Sequence, residues 1–302
     1  MSDQYNSLSK TEWPTVALLF ACYAVWALGT TILWQLFWPM GILFTTLSIT
    51  LYSSLQHEVL HGHPFRSGWL SEALVLPGLT IAIPYLRFRD LHLAHHTDQK
   101  LTDPYDDPES NFLDPEIWHK LSGTAKVILK FNNTLAGRLL VGPLVSQVSF
   151  MRADWQAIKS GDRLVLMGWV WHLPAVALVG LWFAIFADMP IGSYLVCAYM
   201  GLSILKIRTF LEHRAHDRAS GRTVVVDSRG LLSFLFLNNN LHVVHHMHPS
   251  IAWYVLPKLF SDNREHYLRR NDSYYYRSYT QIFRAHFWRA KDPVPHPLWH
   301  HD

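Results

Sequence analysis

The stretch TVALLFACYAVWALGTTILWQL, residues 15–36, carries no charged side chain and determines the fold class. A helix of about 20 apolar residues crosses the hydrocarbon core of a bilayer, so this run predicts a transmembrane helix. A second apolar run, residues 37–56, follows directly, and Pro39 favours a turn between the two. The two runs therefore predict a transmembrane hairpin over residues 15–56.

A second pair of apolar runs lies later in the chain, at residues 164–186 and 190–211, with ADMP between them. Charged residues make up 16% of the chain, below the roughly 25% of soluble domains. We therefore predict an all-α polytopic membrane protein with four transmembrane helices in two hairpins, about 15–56 and 164–211. The chain is read as a single membrane domain, residues 1–302, whose two other parts, 57–163 and 212–302, form a helical cap.

The distribution of basic residues predicts the orientation. No Lys or Arg occurs at residues 11–65 or 164–205, so the first hairpin and all but the end of the second lack positive charge. By the positive-inside rule, residues 57–163 and 212–302 and both termini are cytoplasmic. We expect a multi-pass protein, in the inner membrane if the source is bacterial. The net charge of +3 gives no reason to expect a nucleic-acid partner.

Histidine is the residue type that carries chemistry in this chain. The sequence contains 19 histidines and only two cysteines, Cys22 and Cys197, both within apolar runs. Most histidines of interest fall in four motifs next to the predicted hairpins, which are HEVLHGH (57–63), HLAHH (92–96), EHRAH (212–216) and HVVHH (242–246). All four motifs lie in the parts predicted to be cytoplasmic, so any metal is bound by histidine on that side.

The spacing of the histidines suits more than one metal ion. Residues at i, i+3 and i+4 share one helix face, so each H-x-x-H-H motif directs three imidazoles to one region. A single catalytic zinc needs three protein ligands, and eight or nine histidines suit a two-metal iron site better.

Two other classes of protein remain open from the residues alone. His57, Glu58 and His61 fit the H-E-x-x-H pattern of a membrane zinc metalloprotease. A metal transporter would need ionisable residues inside its spans, where His172 is the main candidate.

The motifs carry a family resemblance. HEVLHGH, HLAHHTDQKLTDPYDDPES (92–110) and LNNNLHVVHHMHPS (237–250) resemble the three histidine boxes of the membrane fatty acid desaturase superfamily. Its relatives include fatty acid hydroxylases, alkane monooxygenases and carotenoid ketolases. The resemblance extends from residue 15 to about residue 260 and includes the order of boxes and hairpins.

The resemblance implies a cytosolic non-haem di-iron centre with two iron ions, which is itself the catalytic group, without a separate side-chain base. The implied ligands are His57, His61, His92, His95, His96, His242, His245 and His246. Family members commonly add one further histidine after the last span, and His213 is preferred to His216 for that place. Candidates for an outer partner that orients a ligand are Glu58, Asp103, His216 and Asn239.

The implied activity is an O2-dependent oxidation of a lipophilic substrate. Desaturation of a fatty acyl chain is favoured, because the Asn-rich third box and the Asp-Pro stretch look most like bacterial desaturase-type members. The alternative is a hydroxylase, monooxygenase or ketolase that acts on an alkyl, lipid or carotenoid substrate.

Electrons must come from a separate partner, because the chain lacks a haem-binding segment, a cysteine set and a dinucleotide fingerprint. A ferredoxin, rubredoxin or cytochrome with its reductase is expected. The basic cluster Arg264, Arg269, Arg270 and Arg277 would contact either membrane lipid or an acidic carrier.

Overall fold

The computed structural model describes residues 11–299, and this part of the chain is mostly helical. The predicted cytoplasmic termini themselves lie outside the described residues. The helices are α1 (Trp13–Thr30), α2 (Ile32–Leu36), α3 (Trp38–Leu60), α4 (Gly68–Leu74), α5 (Tyr85–His95), α6 (Pro115–Lys120), α7 (Gly123–Asn132), α8 (Leu135–Leu140), α9 (Gly142–Lys159), α10 (Arg163–Ile185), α11 (Ile191–Thr209), α12 (Leu231–Leu235), α13 (His242–Met247), α14 (Leu256–Asp262), α15 (Arg264–Arg270) and α16 (Tyr279–His286). Two short parallel strands, β1 (Val225–Val226) and β2 (Tyr275–Tyr276), pair within the C-terminal third.

The first predicted hairpin is present as α1 and α3, which run in opposite directions along each other. Cys22 Sγ lies 3.2 Å from the carbonyl oxygen of Ser48, and the hydroxyl oxygens of Tyr23 and Tyr52 lie 3.4 Å apart. The two helices approach closely at Gly29, where an added Cβ would lie 2.5 Å from Thr45 Oγ1. Glycine is needed there because any side chain would separate the helices.

Among residues 11–299, three helical stretches are long and apolar enough to cross a membrane. They are Trp13–Leu36, Arg163–Ile185 and Ile191–Thr209. Large apolar side chains on them remain exposed, for example Leu173 at 70% and Leu181 at 56%, as expected for a surface that meets lipid. The predicted count of four spans is therefore supported for three helices.

The helix α3 differs from these three because its inner half is polar. Four polar side chains of α3 are buried against neighbouring elements, which are those of Thr45, Ser48, Thr50 and Gln56. Their polarity lowers the mean hydropathy of the helix. The helix packs against both α1 and α11, so protein rather than lipid surrounds much of it. Whether α3 counts as a fourth span stays a prediction.

The two helices of the second predicted hairpin are present as α10 and α11, joined by residues 186–190. The two helices pack mainly on other elements, since α10 contacts α5 and α9 whereas α11 contacts α3, α8 and α9. A buried ion pair fixes the start of α5, because Arg87 donates two hydrogen bonds of 2.9 Å to Asp154 on α9. The central position of α3 and this link of α5 to α9 place histidine-bearing segments at one end of the long helices.

Candidate metal centre

The structure brings all nine predicted histidines together in two groups. The first histidine group is His57, His61, His92, His96 and His245. The second histidine group is His95, His213, His242 and His246. Within each group, one ring nitrogen of every member lies within 4.8 Å of those of the others. The groups are adjacent, since the rings of His96 and His246 stack with centroids 4.3 Å apart.

Each H-x-x-H-H motif divides its side chains between the two groups. At the C-terminal end of α5, His92 and the C-cap residue His96 belong to the first group and His95 to the second. The helix α13 does the opposite, giving His242 and His246 to the second group and His245 to the first. The division follows from helix geometry, because residues i and i+4 lie almost above one another and i+3 projects to the other side of that row.

The remaining ligand candidates come from α3 and from the chain after α11. His57 lies in the last turn of α3 and His61 directly follows that helix. His213 pairs with Thr223 in an isolated antiparallel bridge, which holds an otherwise irregular segment beside the second group.

Nitrogen atoms converge closely in the first histidine group. His92 Nε2 lies 2.9 Å from His57 Nε2 and 2.9 Å from His96 Nε2, and His96 Nε2 lies 3.2 Å from His245 Nε2. Two donors bound at right angles to one metal ion, with bonds of about 2.1 Å, lie about 3.0 Å apart. His61 contributes a buried Nε2 that has no hydrogen-bond partner within the described residues. The spacing fits one metal ion among these nitrogens.

The second histidine group has the same spacing. His213 Nε2 lies 2.9 Å from His95 Nε2 and 3.0 Å from His242 Nε2. The Nε2 atoms of His242 and His246 lie 3.1 Å apart. These distances again match adjacent ligands of one metal ion.

Polar partners on the outer nitrogens fix the tautomers of three imidazoles. The Nδ1–H groups of His92, His95 and His242 donate to Glu109 at 2.9 Å, Asp107 at 2.7 Å and Asn239 at 2.9 Å, respectively. A neutral imidazole that donates through Nδ1 keeps a lone pair on Nε2. Three lone pairs therefore point into the two groups, where a bound cation would relieve their mutual repulsion.

Burial keeps most of the titratable imidazoles outside the spans neutral. It lowers the pKa of His213, His242 and His245 well below the usual value, and neighbouring imidazoles add to the effect. Neutral imidazole is the form that binds a metal. His95 is an exception, because Glu109 and Asp107 outweigh its burial and raise its pKa to about 9. A bound cation would compete with that proton for the Nε2 atom.

Two predicted outer partners, Glu58 and Asp103, accept hydrogen bonds from backbone groups in the structure. Glu58 Oε2 accepts the backbone N–H of Trp253 at 3.1 Å, while its Oε1 lies 4.0 Å from His57 Nδ1, too far for a hydrogen bond. Asp103 Oδ1 accepts the backbone N–H groups of Tyr105 and Asp106 at 2.8 Å. This is the usual turn role of aspartate, so Asp103 shapes the loop instead of orienting a ligand.

His216 and His172 also lie outside both histidine groups. The His216 Nε2–H donates to Asp272 at 3.0 Å, so His216 does not act as the outer partner that the sequence predicted. The His172 Nε2–H donates to the carbonyl oxygen of Ile81 at 2.7 Å, which accounts for a histidine within α10.

The sequence does not distinguish among the carboxylates that follow the second box. Asp103, Asp106, Asp107 and Glu109 are equal candidates for an outer partner in the run LTDPYDDPES, and the structure gives Asp107 and Glu109 a histidine partner. Glu212 is also buried, with Oε1 2.8 Å from Arg208 Nε and 3.7 Å from His242 Nδ1. In the sequence, the only feature that points to Glu212 as a site residue is its position directly before His213.

The chain matches a known protein family over most of its length. A sequence model of the family described as "Fatty acid desaturase" matches residues 32–279. No curated protein matches the chain. The matched range includes α3, α5, the segment with His213 and α13, and thus all nine histidines of the two groups.

Proposed function

We propose that this chain, which belongs to the fatty acid desaturase family, binds one iron ion in each histidine group and desaturates a fatty acyl substrate with O2 and external electrons. The family establishes a membrane di-iron oxidoreductase in general terms, with a lipophilic substrate and an external electron donor. The convergence of Nε2 atoms into two adjacent groups is the observation that carries the proposal for this chain.

The nine histidines are the proposed ligands, five for one iron and four for the other. Two bound irons would supply the oxidising power toward an unactivated C–H bond that protein side chains lack. The chain's own contribution is to hold the imidazoles in place. Asp107, Glu109 and Asn239 do this through the Nδ1–H groups, which fixes ring orientation and raises the basicity of the ligating nitrogen.

Desaturation is preferred to hydroxylation on the sequence features of the second and third boxes. Small differences in substrate position are expected to decide between the two outcomes. Product analysis in a host that supplies electron carriers tests this choice, since new alkenes support desaturation. Alcohols or ketones would indicate a hydroxylase, monooxygenase or ketolase instead.

We also propose four spans with the histidine groups on the cytoplasmic side. The helix α3 has 23 residues and reaches about 34 Å, which is long enough to cross the hydrocarbon core. Its contacts with α1 support the same depth in the membrane. Reporter fusions at Ser110 and at the C-terminus should both report the cytoplasm, and opposite sides would refute this topology.

The electron donor is proposed to be a ferredoxin, rubredoxin or cytochrome. Of the predicted basic cluster, Arg264 is 3.1 Å from Asp227 and Arg269 is 3.4 Å from Glu265. These pairs reduce the charge that the two side chains offer to an acidic carrier or to an anionic lipid head group.

Metal analysis of the purified protein tests the assignment of the site. About two irons per chain supports the di-iron proposal. One zinc would support a metalloprotease that uses His57 and His61, and variable metal content would support a transporter. O2 uptake that depends on both an electron donor and a lipophilic substrate is the second requirement, and turnover without O2 would refute the proposal.

A further inference from the structure

A surface groove of about 500 Å³ is lined by residues between 229 and 262, none of which is a histidine. It is formed by α12, the segments before α13 and α14, and α14 itself. Its principal lining residues are Arg229, Phe234, Asn238, Trp253, Tyr254 and Lys258. The volume falls within the range of about 300–1,000 Å³ that is usual for small-molecule sites. We call this feature the 229–262 groove.

Trp253 connects the groove to the metal centre and to the first long helix. Its backbone N–H donates to Glu58, the residue after the ligand candidate His57, at 3.1 Å. Its indole Nε1–H donates to Thr15 in the first turn of α1 at 3.3 Å. Asn238, which precedes the third histidine motif, donates to the Trp253 carbonyl oxygen at 3.0 Å. A molecule in the groove would therefore lie against residues adjoining two ligand-bearing segments.

The groove combines an apolar wall with a cationic rim. Phe234 is 41% exposed and Tyr254 is 37% exposed. Arg229 is exposed and makes no hydrogen bond or ion pair with the described residues. Lys258 Nζ lies 2.6 Å from Asp262 Oδ2. With Arg229, the rim therefore contains two cations and one carboxylate. An amphipathic molecule with a negative head group complements this arrangement.

The location supports the same class of ligand. Leu231, at the start of α12, is 62% exposed, and Trp13, at the start of α1, is 70% exposed. Exposed tryptophan and leucine next to arginine and lysine are typical of the boundary between lipid and water. A lipid-like molecule held here would keep its head group in the aqueous phase and its chain near the apolar wall.

We propose that the 229–262 groove binds the anionic head group, a phosphate or a carboxylate, of the acyl substrate. Arg229 and Lys258 contact the negative charge, while Phe234, Trp253 and Tyr254 contact the first part of the chain. The inference rests on the proposed function, because it identifies the bound molecule as the substrate of the metal centre.

Binding of defined probes to the detergent-solubilised full chain tests the groove without turnover. The probes are palmitate, palmitoyl-coenzyme A and dipalmitoylphosphatidylglycerol, with methyl palmitate as the uncharged comparison. Arg229→Gln and Lys258→Gln should each weaken binding of at least one anionic probe about fivefold, as expected for loss of one cation near an anionic lipid group. Asp262→Asn should strengthen the same binding, and Lys159→Gln, on the exposed end of α9, should leave it unchanged.

The three anionic probes distinguish the source of the head group. Binding that depends on Arg229 and Lys258 would indicate a free fatty acid if the probe is palmitate. It would indicate a phosphate-bearing thioester if the probe is palmitoyl-coenzyme A, and a phospholipid if it is dipalmitoylphosphatidylglycerol. Ser261→Trp fills the groove without changing its charge and should weaken binding of all four probes. Anionic binding that is the same in the charge variants, or in Ser261→Trp, would overturn the proposal.

Iron content measured on the same samples separates the two proposals. If the protein holds two irons per chain but binds the anionic probes equally in the charge variants, the proposal for the groove is refuted and the di-iron proposal stands. Charge-dependent binding in a protein that contains no iron when purified from iron-supplied cells would refute the di-iron assignment and leave the groove as an anionic lipid site.

Discussion

The two histidine groups differ in how their imidazoles are held. In the second group, Asp107 and Asn239 accept hydrogen bonds from His95 and His242, and His213 comes from an irregular segment. In the first group, His92 has one such partner, Glu109, whereas His57 is fixed by its place in the buried last turns of α3. Two of the four histidines in the second group, but only one of the five in the first, therefore have an outer polar partner at Nδ1. The second group should therefore depend more on outer carboxylates and amides.

Removing one ligand from either group should have the largest effect and tests whether the groups act together. We expect His245→Ala, in the first group, and His242→Ala, in the second, each to reduce turnover at least about 1,000-fold, because both metals are needed for the chemistry. Iron content should fall in both variants while membrane insertion is kept. Turnover by the purified proteins and metal analysis measure this, and full activity in either variant would remove that residue from the ligand set.

His213 and His216 provide a matched pair for the second group. We expect His213→Ala to lose iron and activity, because its Nε2 lies about 3 Å from two other ligand candidates. His216→Ala should keep most of both, since its imidazole contacts Asp272. Metal loss in His216→Ala alone would show that the assignment at residue 213 is wrong.

Asp107→Asn should have a smaller effect on function, which we expect to be a loss of metal affinity. Outer partners of metal-binding histidines typically contribute 10–100-fold in affinity, so we expect a loss of about that size. Asp106→Asn is the control, because Asp106 is exposed and pairs with Lys100 at 3.3 Å. Competition with a chelator measures the affinity. Equal sensitivity of the two variants would contradict the role given to Asp107.

The pH dependence of the metal-free protein should show the smallest effect. His213, His242 and His245 have lowered pKa values, so below about pH 6.5 the unfolded chain binds protons that the folded chain does not, and stability falls as the pH falls. His95 has a pKa of about 9, so its contribution is present below about pH 6.5 and is lost as the pH rises toward 9.

Thermal unfolding of chelator-treated protein should therefore have its highest midpoint near pH 6.5. In Asp107→Asn, the loss between pH 6.5 and 9 should become smaller, because Asp107 helps to hold the proton on His95. A midpoint that rises steadily from pH 6.5 to 9 in the unsubstituted protein would contradict this account.

The class of protein and the type of site follow from the sequence alone. Uncharged runs long enough to cross a bilayer predicted helices that the structure contains at Trp13–Leu36, Arg163–Ile185 and Ile191–Thr209. The repeated H-x-x-H-H motifs predicted clustered imidazoles, and the family match agrees with the resemblance that those motifs carry. These inferences succeeded because helix length and side-chain spacing are local properties.

Only the tertiary structure shows which histidines from different elements share a group and which acidic residues contact them. Helix geometry separates His95 from His92 and His96, but the packing of α5 against α3 and near α13 brings histidines of other elements to each side. Asp103 and Asp107 look alike in a Pro-rich and Asp-rich turn, and the path of the loop gives Asp107 the contact with His95. The physical reason is that these contacts join residues far apart along the chain, so their geometry depends on how whole helices pack.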